Sequence, residues 1–232
     1  MILCKKIGMT IAALSMIIML ILSAASVVVF GNMNYYRHEF EKYKVTENIE
    51  MSMDNIMDVM EELMNYLHDD RDSLENIVTV VNGQERDFFS EREKIHMADC
   101  KEIFIDAFML KKLSTMIFII VVVIMILMKI FDLRQFIKIC GIISMGILLA
   151  ALAIAITAAI DFDASFTMFH KIFFDNDLWI LYPETDLIIN ILVEDFFRDM
   201  AVKIGLYSMS VPIVLAVSGT ALYLSDRKRR YV

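Results

Sequence analysis

Four stretches of the chain are predominantly apolar over roughly 20 positions, the length an α-helix needs to cross about 30 Å of hydrocarbon. These stretches are residues 7–30, 113–131, 139–160 and 206–224. Each is expected to be a transmembrane helix, because in lipid a helix satisfies its own backbone hydrogen bonds. The first is too long for the apolar core of a cleaved signal peptide, and three more spans follow it. The fold class expected is therefore mainly α: one integral membrane domain over 1–232, with a small cap made from the connections 31–112 and 161–205.

The polar pattern between the spans predicts the parts of that cap. Met53, Ile56, Met57, Met60, Leu63, Met64 and Leu67 recur at helical spacing, so an amphipathic helix starts there with Ser52 as its N-cap. Its methionine sulfurs are soft enough for copper, but a pliable apolar face is the simpler reading. Residues 77–89, "IVTVVNGQERDFF", centre β-branched residues on Asn82-Gly83 and suit a hairpin. The aromatics of "YYRHEFEKYKV" (35–45) show no clean period and suggest a short strand or a segment lying on the membrane. A helix is expected to begin near Ser90 and, with no Pro or Gly to stop it, to enter the second span as one rod. Phe162, Phe166, Phe169 and Phe173 give the next segment an aromatic helical face that fits a membrane interface. "TDLIINILVEDFF" reads as a further apolar-faced helix leading to the fourth span.

Charge orients the chain. Lys5, Lys6, Lys129, Arg134, Lys138 and Arg227 to Arg230 flank the termini and the short turn between spans two and three, with only Asp132 and Asp226 beside them. The two long connections hold the remaining 13 of 22 basic and 28 of 30 acidic residues. Both termini are thus expected in the cytoplasm and both acidic loops outside. The net charge of −8 averages two opposite sides, and the acidic exterior does not suggest nucleic-acid binding. Of the three cysteines, Cys4 and Cys140 fall near cytoplasmic ends and Cys100 outside, so no intrachain disulfide is expected.

No G-x-S-x-G, H-E-x-x-H, C-x-x-C or phosphate-binding glycine loop is present. Histidine remains, as the side chain that exchanges protons most readily near neutral pH. His38 and His68 read as solvated. His96 and Asp99 are three residues apart on one helix face, as an oriented imidazole or as a plain surface ion pair. His170 lies on the Phe-rich helix with Asp175 and Asp177 close in sequence, where a polar group is costly unless paired or useful. Trp179 and Tyr182 fit an interfacial aromatic belt. A zinc site from His96, Asp99, His170 and Asp177 has no supporting ligand spacing.

"EREKIHMADCKEIF" and "FHKIFFDNDLWILYPETDLI…EDFF", set between four spans, resemble the bacterial lipoprotein intramolecular transacylase (Lit) family; "YYRHEFEKYKV" and "NGQERDFFSERE" extend the likeness over nearly the whole chain. The resemblance implies an enzyme of the bacterial cytoplasmic membrane with its active site on the extracytoplasmic face. Its substrate would be a lipoprotein whose N-terminal cysteine bears a diacylglyceryl group. The sn-2 acyl chain would move to the α-amine of that cysteine, giving a lyso-form lipoprotein. His96 and His170 match the family's two histidines and are the expected catalytic pair. His96 would be a base oriented by Asp99 and His170 an acid or oxyanion donor, although the reverse division fits equally. Asn176 and Asp177 would support them, and Phe169, Phe173, Trp179 and Tyr182 would meet substrate or membrane lipid. No cofactor or metal is called for. The alternatives are another membrane lipid-ester hydrolase or acyltransferase, using the same histidines, and a non-catalytic partner-binding membrane protein.

Overall fold

The structure, a computed structural model, describes residues 2–229; Arg230, counted above among the basic residues after the fourth span, lies outside them. Among the described residues four helices are long and apolar enough to cross a membrane: α1 (Ile2–Phe30), α5 (Glu91–Leu127), α6 (Leu133–Ile160) and α9 (Glu194–Arg229). Between α1 and α5 come α2 (Met33–Lys42), α3 (Val45–Ile49), α4 (Met53–Leu67) and the strands β1 (Val78–Val81) and β2 (Gln84–Asp87); between α6 and α9 come α7 (Phe162–Phe173) and α8 (Ile188–Ile191). Mainly helical membrane architecture is thus what the chain adopts.

The chain divides into two compact units. One comprises the described parts of Met1–Ser26, Phe108–Thr157 and Lys203–Val232, and the other Val27–Ala107 and Ala158–Val202. In the first, Met9, Ala12 and Ala13 of α1 bury against Met125 of α5 and Phe136 and Cys140 of α6, with Leu215 of α9 packed alongside. The turn after α5 begins earlier than expected, because Lys129 takes a left-handed φ of 56° and Asp132 caps the next helix by accepting from the Gln135 N–H at 3.0 Å. Lys5 pairs with Asp132 at 3.2 Å, while Arg134 and Lys138 both pair with Asp226. The basic residues of this unit therefore hold its two acids.

The second unit is built around α4. Ser52 caps it, accepting from the Asn55 N–H at 3.1 Å, and Ile56, Val59, Met60, Leu63, Tyr66 and Leu67 bury one face. Within the methionine stripe Met60 is fully buried, Met53, Met57 and Met64 are partly buried, and Met64 Sδ accepts from the Tyr36 hydroxyl. The hairpin forms at Asn82-Gly83, with Val81 paired to Gln84 and both turn residues at positive φ (51° and 74°), the signature of a type I′ turn. A Cβ on Gly83 would meet nothing within 4 Å, so Gly83→Ala is expected to cost about 1–2 kcal/mol from backbone strain alone. A lowered melting temperature with unchanged activity would check this.

Two expectations need correcting. Residues 35–45 do not form the strand that was one of the two expectations: they lie in α2, the turn after it and the start of α3. Asn32 caps α2 by accepting from the Asn34 N–H at 3.0 Å, and Tyr36, Glu39 and Phe40 turn inward at helical spacing. Phe196 meets both rings, at 5.6 Å from Tyr36 and 5.7 Å from Phe40. Glu39 is a carboxylate on the buried face, so the apolar period was broken in the sequence. Burial pushes its pKa up, helped by Asp199 beside it. The segment before the fourth span is also not one helix. It is the single turn α8, a break at Leu192–Val193, and then α9, which begins at Glu194 and runs on through Pro212.

Candidate active site

The rod expected from Ser90 into the second span is α5, and its start is where the site is organised. Ser90 and Glu93 make a capping box. The Glu93 N–H donates to Ser90 Oγ at 3.2 Å, and the Ser90 N–H donates to Glu93 Oε2 at 2.6 Å. Glu93 is fully buried, and its other oxygen accepts from the Ile188 N–H at 2.6 Å. Burial raises its pKa, and the backbone donors oppose the rise. Ser90 Oγ also donates to Asp186 Oδ1 at 2.7 Å, while Asp186 Oδ2 accepts from the Tyr182 N–H at 2.8 Å. Arg92 donates to the carbonyls of Ile180, at 2.9 Å, and Asp177, and stacks its guanidinium over Tyr182. Four side chains, Ser90, Arg92, Glu93 and Asp186, thereby tie the loop 174–188 to the first turn of α5.

One turn further along α5 stands His96, and one further still are Asp99 and Cys100. Opposite them α7 carries His170, with Asp161 as its N-cap accepting from the Ala164 N–H at 2.9 Å. The two imidazoles, 74 positions apart in the chain, meet with ring centroids 6.1 Å apart and a tilt of 37°. Both are buried, at 5% and 7% exposure. Phe174 sits against both rings, edge-on to His96 at 5.1 Å and stacked on His170 at 5.6 Å. Trp179 stacks on His170 at 4.7 Å, and Phe166 meets its edge at 4.3 Å.

This aromatic surround sets the protonation. Burial holds His96 well below its ordinary value, at about 4; the neighbouring His170 adds to the drop and the Asp99 carboxylate opposes it. Burial also lowers His170, against a hydrogen bond from its Nδ1 to the Phe166 carbonyl at 2.8 Å. A carbonyl can only accept, so His170 Nδ1 carries the proton and Nε2 is left with a lone pair. At neutral pH the site holds two uncharged imidazoles, one with its tautomer fixed. Cys100 Sγ lies 3.7 Å from His96 Nε2, and burial pushes this thiol up to about 12.

The other expected site residues fall as follows. Asp99 Oδ2 accepts from the Asn176 side-chain amide at 2.9 Å, so its hydrogen bond goes to the loop and not to His96; what reaches His96 is its charge. Asn176 Oδ1 in turn accepts from the Leu178 N–H at 2.9 Å, which fixes the loop just before Trp179. Asp177 contributes its carbonyl to Arg92 while the residue itself is exposed. Phe169, Phe173 and Tyr182 are about half exposed, and Phe169 still touches the His170 ring at 5.5 Å. His38 and His68 are exposed, and His68 is bound to Asp70 at 2.7 Å. Among the described residues no group of three or more His, Cys, Asp or Glu gathers as a metal site. Sequence reasoning took Ser90 only as a helix start and gave Arg92, Glu93 and Asp186 no role in the site; the Ser-x-x-Glu spacing of "SERE" was the available signal for Ser90 and Glu93. Chemically, a neutral imidazole with a free Nε2 beside a second neutral imidazole can take up, return and donate protons in a site walled by aromatic rings.

The family model described as lipoprotein intramolecular transacylase Lit matches residues 10–197. Among solved structures, the chain resembles the membrane-integral lipoprotein intramolecular transacylase Lit from Bacillus cereus, with 24% identity, a TM-score of 0.78, and coverage of 98% of this chain and 100% of that one. Two variants of the same protein, each with one histidine replaced by arginine or by alanine, match with TM-scores of 0.72 and 0.71, covering 97% of this chain and 95% and 96% of theirs, again at 24% identity. No curated protein sequence matches the chain.

Proposed function

Because the chain belongs to the lipoprotein intramolecular transacylase family, and so to the membrane acyltransferases that act on lipoproteins, we propose that it moves the sn-2 acyl chain of a diacylglyceryl-cysteine onto the α-amine of the same cysteine. The observation that carries this reading is the convergence of His96 and His170 at 6.1 Å, with His170 Nδ1 committed to the Phe166 carbonyl. Amine and ester belong to one molecule, so holding them together supplies by proximity part of what a covalent acyl-enzyme would provide. No serine or cysteine nucleophile is required, and the Cys100 thiol, pushed up to about 12, is a poor one.

In this mechanism the neutral amine attacks the ester carbonyl. His170 Nε2 accepts the proton that the nitrogen loses and returns it to the departing glyceryl oxygen. The C–N bond forms, the C–O bond breaks, and one proton passes from nitrogen to oxygen. His96 stays neutral and offers its N–H to the oxyanion of the tetrahedral intermediate. This reverses the first division of labour suggested by the sequence, where Asp99 was to make His96 the base. The reason is that the fixed tautomer belongs to His170, while the Asp99 hydrogen bond goes to Asn176. Asp99, Asn176 and Arg92 position the loop that brings Trp179 onto His170. The basic residues at the termini and the 128–138 turn support an orientation with the termini in the cytoplasm and the histidines on the extracytoplasmic side.

The test is mass spectrometry of the N-terminal peptide of a reporter lipoprotein, with and without the enzyme. An N-acylated, S-monoacylglyceryl cysteine of unchanged total mass is expected. Release of free fatty acid would instead mark a hydrolase, and an unchanged peptide would remove the transacylase reading. The pH dependence adds a second check. The amine must be neutral, so log rate rises with slope one as pH climbs toward about 8. Burial holds both histidines below about 6.5, so their protonation steepens the acid limb only below that pH. A second slope setting in above pH 7 would contradict the buried, neutral pair.

A further inference from the structure

A groove of about 550 Å³ opens between α1 and α5 in the membrane-spanning unit. Its walls include Met19 from α1 and Met116, Ile119 and Ile120 from α5, and at one end stand Lys111 and Lys112. These lysines immediately precede the apolar stretch of α5, the position of a headgroup in a bilayer. Elsewhere in the segment 31–112, Arg37, Lys42, Lys44, Arg71, Lys94 and Lys101 each pair with an acidic side chain, and Arg86 and Arg92 donate to backbone carbonyls. Lys111 instead lies over the Phe108 ring at 5.2 Å, and among the described residues neither it nor Lys112 makes an ion pair.

We infer that this groove binds an anionic phospholipid, one acyl chain lying along the apolar walls and the phosphate meeting Lys111 and Lys112. The volume falls within the range of small-molecule sites. Lipid tails are as apolar as the walls, so the groove gains little hydrophobic drive over bulk lipid. Selectivity then rests on the paired ammonium groups, which attract phosphate and not an uncharged glyceride. A diacylglyceryl-cysteine carries no phosphate at its glycerol, so this occupant differs from the substrate proposed above, and the inference stands independently of that reading.

Native mass spectrometry of the full chain in detergent, titrated with lipids of matched acyl chains, tests it. Phosphatidylglycerol is expected to bind roughly 10- to 30-fold more tightly than phosphatidylcholine or diacylglycerol, the scale of two lysines near a surface. Lys111→Gln/Lys112→Gln should abolish that preference without lowering the melting temperature, since Lys111 is partly buried and Lys112 exposed. Ile119→Trp should weaken every lipid by filling the groove. A phosphatidylglycerol preference that survives the double substitution overturns the inference. So does competition by inorganic phosphate alone as effective as that by phosphatidylglycerol, which would mark a phosphate site, and so does a diacylglycerol that binds equally well.

Discussion

His170→Ala and His96→Ala each lower acyl transfer by roughly 10²–10⁴-fold, the usual range for removing a positioned acid–base group, while the protein remains inserted and folded. The double variant falls little below the worse single one, because groups that act on one transition state do not contribute additively. Conservative replacements separate the roles. His96→Gln places an amide N–H near the ring's Nε2 and keeps a neutral donor for the oxyanion, so it should recover roughly tenfold over His96→Ala, a fraction of what one such donor contributes. His170→Asn keeps the donation to the Phe166 carbonyl but supplies no lone pair that can hold a proton, so it should be as inactive as His170→Ala. Single-turnover rates on a synthetic diacylglyceryl lipopeptide would read these differences directly. Recovery in His170→Asn with none in His96→Gln would reverse the assignment, and full activity in both alanine variants would remove the histidine mechanism.

The outline of this result was legible from particular residues. Lipid leaves the backbone no alternative to helices, so the four apolar stretches declared themselves. Ser52 and Asn82-Gly83 announced the start of α4 and the hairpin because caps and type I′ turns depend on local chemistry alone. The proposed catalytic pair was nameable because the chain has four histidines and the family resemblance singled out two. What stayed hidden depends on distant partners. Glu39 and Glu93 are buried carboxylates whose partners include Asp199 and the Ile188 N–H, more than 90 positions away, and a carboxylate in a segment reads as a solvent-facing position until that partner is known. Asp99 shows the same effect from the other side. Its spacing from His96 is visible in the sequence, but the Asn176 amide that takes its hydrogen bond is not.

Gly141→Leu and Gly219→Leu are expected to unfold the membrane-spanning unit or to block its assembly, the largest stability effects in the chain. The two glycines face each other where α6 meets α9. A Cβ on Gly141 would stand 2.8 Å from the Gly219 Cα and 3.1 Å from the Leu215 carbonyl oxygen. A Cβ on Gly219 would stand 2.7 Å from the Gly141 Cα and 3.0 Å from the Ile137 carbonyl oxygen. Every one of these atoms is backbone, so no side chain can turn away to make room, and the helices themselves must separate. Small residues let membrane helices approach until dispersion and packing hold them, and that close approach is what any larger side chain removes. Even Gly→Ala should cost about 1–3 kcal/mol here as overpacking. Gly146 and Gly205 provide the internal control. They also lie within long helices, in α6 and α9, and a Cβ at either meets nothing within 4 Å. Gly146→Ala and Gly205→Ala should therefore be neutral, or more stable by up to about 1 kcal/mol from better helix propensity. Melting temperatures of the four alanine variants in one detergent would decide the matter: helix propensity alone would raise all four alike, whereas the close crossing requires the two pairs to move in opposite directions.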